Sequence, residues 1–76
     1  MITSNLEKFS VLKIRLRELR TQFGFSQKVV AERLGISYQS YQAYELGVSL
    51  PSLENFLKLT QIFECSADYL LGLSDY

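Results

Sequence analysis

Residues 27–46, QKVVAERLGISYQSYQAYEL, determine the fold of this chain. A serine, which can cap the first turn of a helix, stands directly before each of two predicted helices, 27–34 and 38–46. Gly35 follows the first of them, at a position that requires the left-handed backbone conformation that glycine adopts at low cost. The stretch therefore predicts two short helices joined by only three residues.

Two helices with so short a connection must cross at a steep angle, the arrangement called helix-turn-helix. Ala31 provides the small residue that a close crossing needs. The positions expected to face the core are apolar or aromatic, namely Val30, Leu34, Ile36, Tyr41 and Tyr44. Their joint spacing predicts this motif over residues 27–46.

Three further helices are predicted around the motif. The first begins between Asn5 and Ser10 and ends at Gly24, and its apolar face is formed by Leu12, Leu16, Leu19 and Phe23. The fourth follows Pro51 and covers about residues 53–63. Its inner side is predicted to consist of Leu53, Phe56, Leu57, Thr60 and Phe63.

The fifth predicted helix, Ala67–Leu71, ends at Gly72, and the tail 73–76 is expected to fray. The alternation of apolar and polar residues that is typical of strands is not found. The chain is thus predicted to be all-α, with a compact five-helix fold. It forms one domain over residues 1–76, with its core in residues 12–73.

Composition and charge limit the classes of function. With 76 residues, 47% of them hydrophobic, the chain can form one core without a metal or disulfide. The net charge is zero, but residues 1–33 carry seven basic and three acidic side chains, whereas residues 34–76 carry one lysine and five acidic ones. Such a chain can present one basic face to a nucleic acid, although separately solvated helix faces would give the same count.

Several other classes are not expected. The sequence has no histidine, no paired carboxylates and no glycine-rich phosphate loop, which argues against an enzyme. Cys65 is the only cysteine, which argues against a disulfide framework and a metal site and suits the reducing cytoplasm. No membrane span, signal peptide, cofactor or ligand-sensing domain is predicted.

Six short motifs occur together at characteristic spacings: Ser26-Gln27, Ala31, Leu34-Gly35-Ile36-Ser37, Glu45-Leu46-Gly47, Pro51-Ser52-Leu53 and Asp68-Tyr69-Leu70-Leu71-Gly72. Over about residues 12–73, this set resembles the XRE or Cro/phage-repressor helix-turn-helix domain. The resemblance implies a lambda-repressor-like DNA-binding domain in a small transcriptional regulator. Such a protein binds specific double-stranded DNA as a homodimer and acts as a repressor. It also implies a structural ion pair between Arg20 and Glu45.

The third helix of such a domain is expected to enter the major groove by its N-terminal residues. Helical periodicity places on its core side Ser40, Tyr41 and Tyr44. The opposite side, predicted to read base edges, carries Tyr38, Gln39, Gln42 and Ala43. A glutamine amide pairs with adenine, and an apolar or aromatic edge contacts the thymine methyl group.

Phosphate contacts are predicted near the helix ends. The resemblance gives this role to Gln27, whose helix also presents free amide groups at the positive end of its dipole. The other candidates are Lys28, Ser37, Ser40, Gly47 and Ser49, followed by Arg15 or Arg17. For Ser37, a role as helix cap explains the residue equally well.

The chain departs from the family pattern at three places. The loop Val48-Ser49-Leu50 lacks the lysine or arginine that is usual before the proline, which removes phosphate contacts. Tyr41 stands where isoleucine or valine is common, so that either the helix crossing is wider or the hydroxyl reaches the surface. Glu64 stands where a glycine usually ends the fourth helix, which implies either backbone strain or a different local turn there.

The alternative function on the same fold is a protein-binding module, for example an antitoxin-like partner with little DNA binding of its own. The acidic C-terminal half and the apolar loop 48–50 could form such a surface. Exposed apolar residues could instead form the homodimer contact. We expect that contact to involve the fourth and fifth helices and the tail.

Overall fold

The computed structural model describes residues 9–76, and these form five helices and no strand. The helices are α1 (Ser10–Phe23), α2 (Gln27–Leu34), α3 (Tyr38–Leu46), α4 (Leu53–Ile62) and α5 (Ala67–Leu71). The all-α prediction is confirmed, and α4 ends one residue earlier than predicted. No helix in this part of the chain is long and apolar enough to cross a membrane.

Serine side chains set the start of four helices. In each cap the serine hydroxyl oxygen accepts a hydrogen bond, at 3.0–3.1 Å, from the backbone N–H three residues later in the chain. These caps are Ser26, Ser37, Ser52 and Ser66. Each such cap contributes about 1 kcal/mol. α1 differs, because its cap residue is Phe9, which makes no capping hydrogen bond. Ser10 is therefore the first helical residue and not a cap, and the alternative start at Asn5 lies outside the described residues.

The five helices close a ring around the core. α1 packs against α3 and α5, α2 packs against α3 and α4, and α4 packs against α5. The buried apolar side chains in the middle are Leu12, Leu16, Leu19, Val30, Ala31, Leu34, Tyr41, Tyr44, Phe56, Leu59, Phe63 and Leu70. This ring holds α3 on one side of the molecule, with its outer face free.

The buried face of α4 differs from the predicted one. Leu53 and Leu57 are 74% and 50% exposed, whereas Leu59, which was not assigned to the core, is fully buried. Phe56, Leu59 and Phe63 are spaced three and four residues apart and form the inner face instead. Apolar residues cover more of the circumference of α4 than the core can bury, so periodicity favoured the wrong part of it.

The C-terminal tail is held against the domain. The Arg15 guanidinium donates hydrogen bonds to the carbonyl oxygens of Tyr69 and Ser74, the latter at 2.6 Å. The Arg15 Cζ also lies 4.1 Å from the centroid of the Tyr69 ring, a cation–π contact. The Ser66 hydroxyl donates to the carbonyl oxygen of Tyr76 at 3.3 Å. Side chains from α1 and from the cap of α5 thus bind the backbone of the tail, whereas its Leu73 and Tyr76 side chains are 75% and 92% exposed, and the predicted fraying stays a prediction.

Glu64, just after α4, adopts a left-handed backbone conformation. Its φ is 50°, the one positive value at a non-glycine residue within residues 9–76. Of the two alternatives expected at this position, the positive φ shows the strained backbone. An L-residue with a Cβ costs about 1–2 kcal/mol in this conformation, a cost that glycine avoids.

Glu64→Gly is expected to raise the free energy of unfolding by about 0.5–1 kcal/mol, because relief of the backbone strain exceeds the added flexibility of the unfolded chain. Urea denaturation followed by circular dichroism measures the change. Glu64→Ala is the matched control, since it removes the charge but keeps the Cβ. A glycine variant no more stable than the alanine variant would contradict the prediction.

Candidate nucleic-acid interface

The side of α3 that faces away from the core carries the four residues predicted to read bases, Tyr38, Gln39, Gln42 and Ala43. Tyr38 and Gln39, in the first turn, are exposed, and the other two are half-buried. Ser40, which periodicity placed on the core side, is also exposed. That part of the prediction is wrong, because the ring of helices covers only the side of α3 that carries Tyr41 and Tyr44.

The outer side of α3 is uncharged. The only charged residue of this helix is Glu45, which is buried with 1% of its surface exposed. The outer side therefore offers neutral hydrogen-bonding groups together with methyl and ring edges. Positive charge that could attract an anion lies toward the two ends of the helix.

Two glutamine amides on this side differ in their freedom. The Gln42 Nε2 atom donates to the Tyr38 hydroxyl oxygen at 3.4 Å, which orients the amide along the helix. The Gln39 amide makes no hydrogen bond to any group in residues 9–76. Gln39 therefore keeps both its donor and its acceptor free of partners among the described residues.

Ser37 and Ser40 have different roles at the start of α3. The Ser37 hydroxyl accepts the Ser40 backbone N–H at 3.1 Å and donates to the Ser40 side-chain oxygen at 2.9 Å. Its proton is thus used within the protein. Ser40, at the end of this short chain of hydrogen bonds, is the serine whose hydroxyl proton can bind a phosphate oxygen.

The N-terminus of α2 lies beside the N-terminus of α3. An open depression between them is lined by Arg20, Ser26, Gln27, Lys28 and Tyr38. The free amide groups of the first turn of α2 and the exposed Lys28 ammonium group make this end attractive to an anion. Two predicted phosphate contacts and one predicted base contact are therefore brought to one place.

Gln27 has a partner that the sequence did not suggest. Its Nε2 atom donates to Glu45 Oε1 at 3.0 Å, so the Gln27 side chain is bound to a residue in the last turn of α3. The amide has a second N–H and a carbonyl oxygen, and the predicted phosphate contact remains a prediction.

A buried carboxylate joins three helices in what we call the Glu45 cluster, formed by Arg20, Gln27, Tyr41 and Glu45. Arg20 donates from Nε to Glu45 Oε2 at 2.6 Å and from Nη2 to Oε1 at 3.0 Å. The Tyr41 hydroxyl donates to Oε2 at 2.5 Å. For Tyr41 the sequence left two alternatives, a wider helix crossing or a hydroxyl at the surface. Tyr41 is fully buried, so the hydroxyl does not reach the surface. The cluster fixes α3 relative to α1 and α2.

The Glu45 cluster also determines protonation. Burial disfavours the charged form of Glu45, but hydrogen bonds from Arg20, Tyr41 and Gln27 outweigh it, and the pKa of this carboxyl lies below its ordinary value of 4.5. Burial and the hydrogen bond to Glu45 raise the pKa of Tyr41 above its ordinary value of 10.0. At neutral pH the cluster therefore contains a carboxylate and a protonated tyrosine donor.

Basic side chains of α1 lie beside the C-terminal end of α3. Lys13 lies across Gly47, where an added Cβ would stand 2.6 Å from Lys13 Cδ and 3.3 Å from its Nζ. Arg17 Nη2 donates to the backbone carbonyl oxygen of Glu45 at 3.4 Å. Sequence reasoning did not assign Lys13 to the site, although Lys13, Arg17 and Arg20 recur at spacings of four and three along one helix face. Arg15, a candidate from sequence, is bound to the tail instead.

The loop after α3 is apolar on its surface. Val48 and Leu50 are 64% and 40% exposed, and Gly47 and Ser49 are half-buried. Any phosphate contact made by this loop must therefore come from backbone amides or from the Ser49 hydroxyl, with Lys13 and Arg17 supplying the positive charge.

Comparison with known proteins identifies the type of domain. A family model described as helix-turn-helix matches residues 16–70. The chain is 44% identical over 57 residues to the SPbeta prophage-derived HTH-type transcriptional regulator YonR of Bacillus subtilis, covering 75% of this chain and 53% of YonR. It is 39% identical over 61 residues to the cryptic phage CTXphi transcriptional repressor RstR of Vibrio cholerae, covering 80% of this chain and 54% of RstR.

The extent of these matches differs among relatives. The chain spans about half the length of YonR and RstR. It is also 33% identical over 64 residues to the HTH-type transcriptional regulator YgzD of Bacillus subtilis, covering 84% of this chain and 97% of YgzD. No solved structure matches. The matched residues include α2, α3 and every member of the Glu45 cluster.

Proposed function

The chain belongs to the helix-turn-helix family, in its Cro and phage-repressor class, and from this we propose that it binds specific double-stranded DNA as a transcriptional repressor. One observation carries the proposal. The uncharged outer side of α3 lies between two groups of cations, Lys28 at its N-terminal end and Lys13 with Arg17 at its C-terminal end. Such an element matches a major groove, with neutral base edges on its floor and phosphates along both sides.

The dimensions of α3 agree with this role. An α-helix with its side chains is about 10–12 Å in diameter, which fits the width of about 12 Å of the major groove, and the nine residues of α3 provide about 2.5 turns that can lie in it. Gln27, Lys28 and Ser40 contact phosphates at one end. Gly47, Ser49 and the two cations of α1 contact phosphates at the other. Tyr38 and Gln39, in the first turn, reach the bases first.

Selection from a pool of random duplexes tests the proposal most directly. A duplex should be retained, and its affinity should fall as salt is raised, because phosphate binding releases counterions. Failure to retain any duplex at low salt would contradict DNA binding and leave the protein-binding module as the function of this fold. The exposed apolar loop 48–50 would then be the first surface to examine.

Gln39→Ala is expected to weaken binding to the selected duplex by about 1–3 kcal/mol and to leave random duplex almost unchanged, because a base contact is lost and no phosphate contact. Gln27→Ala should weaken both. Fluorescence anisotropy at fixed salt measures the affinities of wild type and of the two variants for the selected duplex and for random duplex. Thermal unfolding of Gln27→Ala is followed in parallel, since Gln27 also binds Glu45. An equal loss on both duplexes for Gln39→Ala would contradict base reading.

We further propose that the chain acts as a homodimer in the cytoplasm. Two copies could bind half-sites one helical turn apart, about 34–36 Å. The available apolar surface lies on α4 and in the tail, where Leu53, Leu57, Leu73 and Tyr76 are between 50% and 92% exposed. Analytical ultracentrifugation at high micromolar concentration, with and without the selected duplex, tests the dimer. A monomer under both conditions would contradict it.

A further inference from the structure

We propose that A·T base pairs, and not G·C pairs, occupy the positions of the binding site that α3 contacts in the major groove. The inference rests on the proposed function, since it concerns the same surface. It goes beyond that function because it states which bases the surface selects. Three features of the structure carry it.

The first feature is the lack of charge on the outer side of α3. Guanine is read most often by the two donors of an arginine or by a lysine, and cytosine is read by a carboxylate that accepts from its amino group. α3 has neither on its outer side, because Glu45 is buried and the helix contains no lysine or arginine. The usual means of reading a G·C pair are thus missing from this helix.

The second feature is the free Gln39 amide. It offers one donor group and one acceptor on neighbouring atoms, and no group in residues 9–76 occupies either. Adenine presents the matching pair in the major groove, an N7 acceptor and an N6 donor. Guanine presents two acceptors, N7 and O6, so the amide oxygen of Gln39 would face a lone pair. Adenine is therefore the base that satisfies both ends of this side chain.

The third feature is the surface beside Gln39. Tyr38 presents an exposed ring, and its hydroxyl accepts a hydrogen bond from Gln42 Nε2. Ala43 presents a methyl group one turn further along. Ring and methyl edges bind the C5-methyl group of thymine, which cytosine lacks. The neighbours of Gln39 therefore favour the partner base of adenine.

Cations near α3 do not change this inference. Lys28 lies at the N-terminal end, and Lys13 lies across Gly47 beyond the C-terminal end. Arg17 and Arg20 bind the backbone and the side chain of Glu45, respectively. Lys13 and Lys28 belong to other helices and lie at the two ends of α3, which suits phosphates at the edges of the groove, whereas the outer side of α3 itself carries no charge.

The test begins with selection of duplexes from a random pool by the full chain. We expect A·T pairs to be enriched among the selected duplexes at the positions that the bound protein protects. Replacing one such A·T pair by G·C should weaken binding about 5- to 150-fold. Replacing the contacted adenine by 7-deazaadenine should weaken it about 2- to 12-fold, because one hydrogen bond is lost. Uracil in place of the paired thymine should weaken it about fourfold, because a methyl contact is lost.

A substitution that reverses the preference gives an independent readout. Gln39→Arg should move the preferred base at one position from adenine to guanine. Gln61→Arg is the control with the same charge change, on an exposed position of α4, and should keep the adenine preference. Circular dichroism confirms that both variants fold.

The outcomes are distinct. Enrichment of A·T pairs together with the change of base in Gln39→Arg supports the inference. Selected sites with G·C at the protected positions overturn it while leaving the proposed function intact. Retention of no duplex at low salt overturns the proposed function and this inference with it.

Discussion

Arg20→Ala is expected to lower the free energy of unfolding by about 3–5 kcal/mol, because it leaves the Glu45 carboxylate buried without its ion partner. Arg20 supplies two of the hydrogen bonds to that carboxylate, at 2.6 and 3.0 Å. Only 1% of the Glu45 side chain is exposed, so in the folded protein the carboxylate depends on protein donors in place of water. The loss is large compared with the total stability of roughly 4–11 kcal/mol that a 76-residue domain has.

Chemical denaturation followed by circular dichroism measures this loss. Arg17→Ala is the matched control, because Arg17 lies on the same helix, 3.9 Å from the same carboxylate, and 60% of its side chain is exposed. Solvent screens that pair, and the control should lose less than about 1 kcal/mol. Similar losses of unfolding free energy in the two variants would contradict the prediction that the buried Arg20 pair contributes more to stability than the exposed Arg17 pair.

Tyr41→Phe is expected to cost about 1.5–3 kcal/mol, the second largest effect predicted for this chain. The substitution removes one oxygen atom from a fully buried ring, and with it the hydrogen bond to Glu45 Oε2 at 2.5 Å. Tyr44→Phe is the control on the same helix. The Tyr44 hydroxyl accepts a hydrogen bond from the neutral Asn55 amide at 3.3 Å, and its loss should cost about 0.5–1.5 kcal/mol.

The pH dependence of Tyr41→Phe identifies the cause of its effect. The pKa of Glu45 is lowered in the folded state, so the Glu45 cluster stabilises the fold above the ordinary pKa of 4.5 and this stability is lost as the pH falls below that value. Removing one donor to the carboxylate moves its folded pKa upward. The difference between wild type and Tyr41→Phe should therefore be full at pH 7 and shrink in acid. A difference that stays constant through the acid range in which the wild-type protein loses the stability contributed by Glu45 would contradict a role through Glu45.

The helix bounds could be predicted because they depend on neighbours in sequence. A serine accepts an N–H only three residues away, and a glycine permits a left-handed turn at its own position. Four helices accordingly begin after the predicted serines. The buried side of α4 could not be predicted in the same way. Leucines 53, 57 and 59 are chemically alike, and only packing against the other helices selects among them.

The candidate site was predictable in its outline and not in its connections. Helical periodicity was sufficient to place Gln39 on the outer side of α3. The bond from Gln27 to Glu45 spans 18 residues, and those from Arg15 to Tyr69 and Ser74 span 54 and 59. No local pattern specifies such pairs, because they depend on how the helices meet. Lys13 was missed for the same reason, since its proximity to Gly47 depends on how α1 packs against α3.

The cations beside α3 have a counterpart in the acidic residues of the other elements. α4, α5 and the segments that follow them carry Glu54, Glu64, Asp68 and Asp75. In the field of a polyanion, a neutral molecule divided in this way feels a torque, and once turned it is attracted, because the field is stronger at its near, basic side than at its far, acidic side. It should turn the outer side of α3 toward the duplex before the first collision. We therefore expect the association rate constant to fall with ionic strength, although the protein as a whole has no net charge to be attracted.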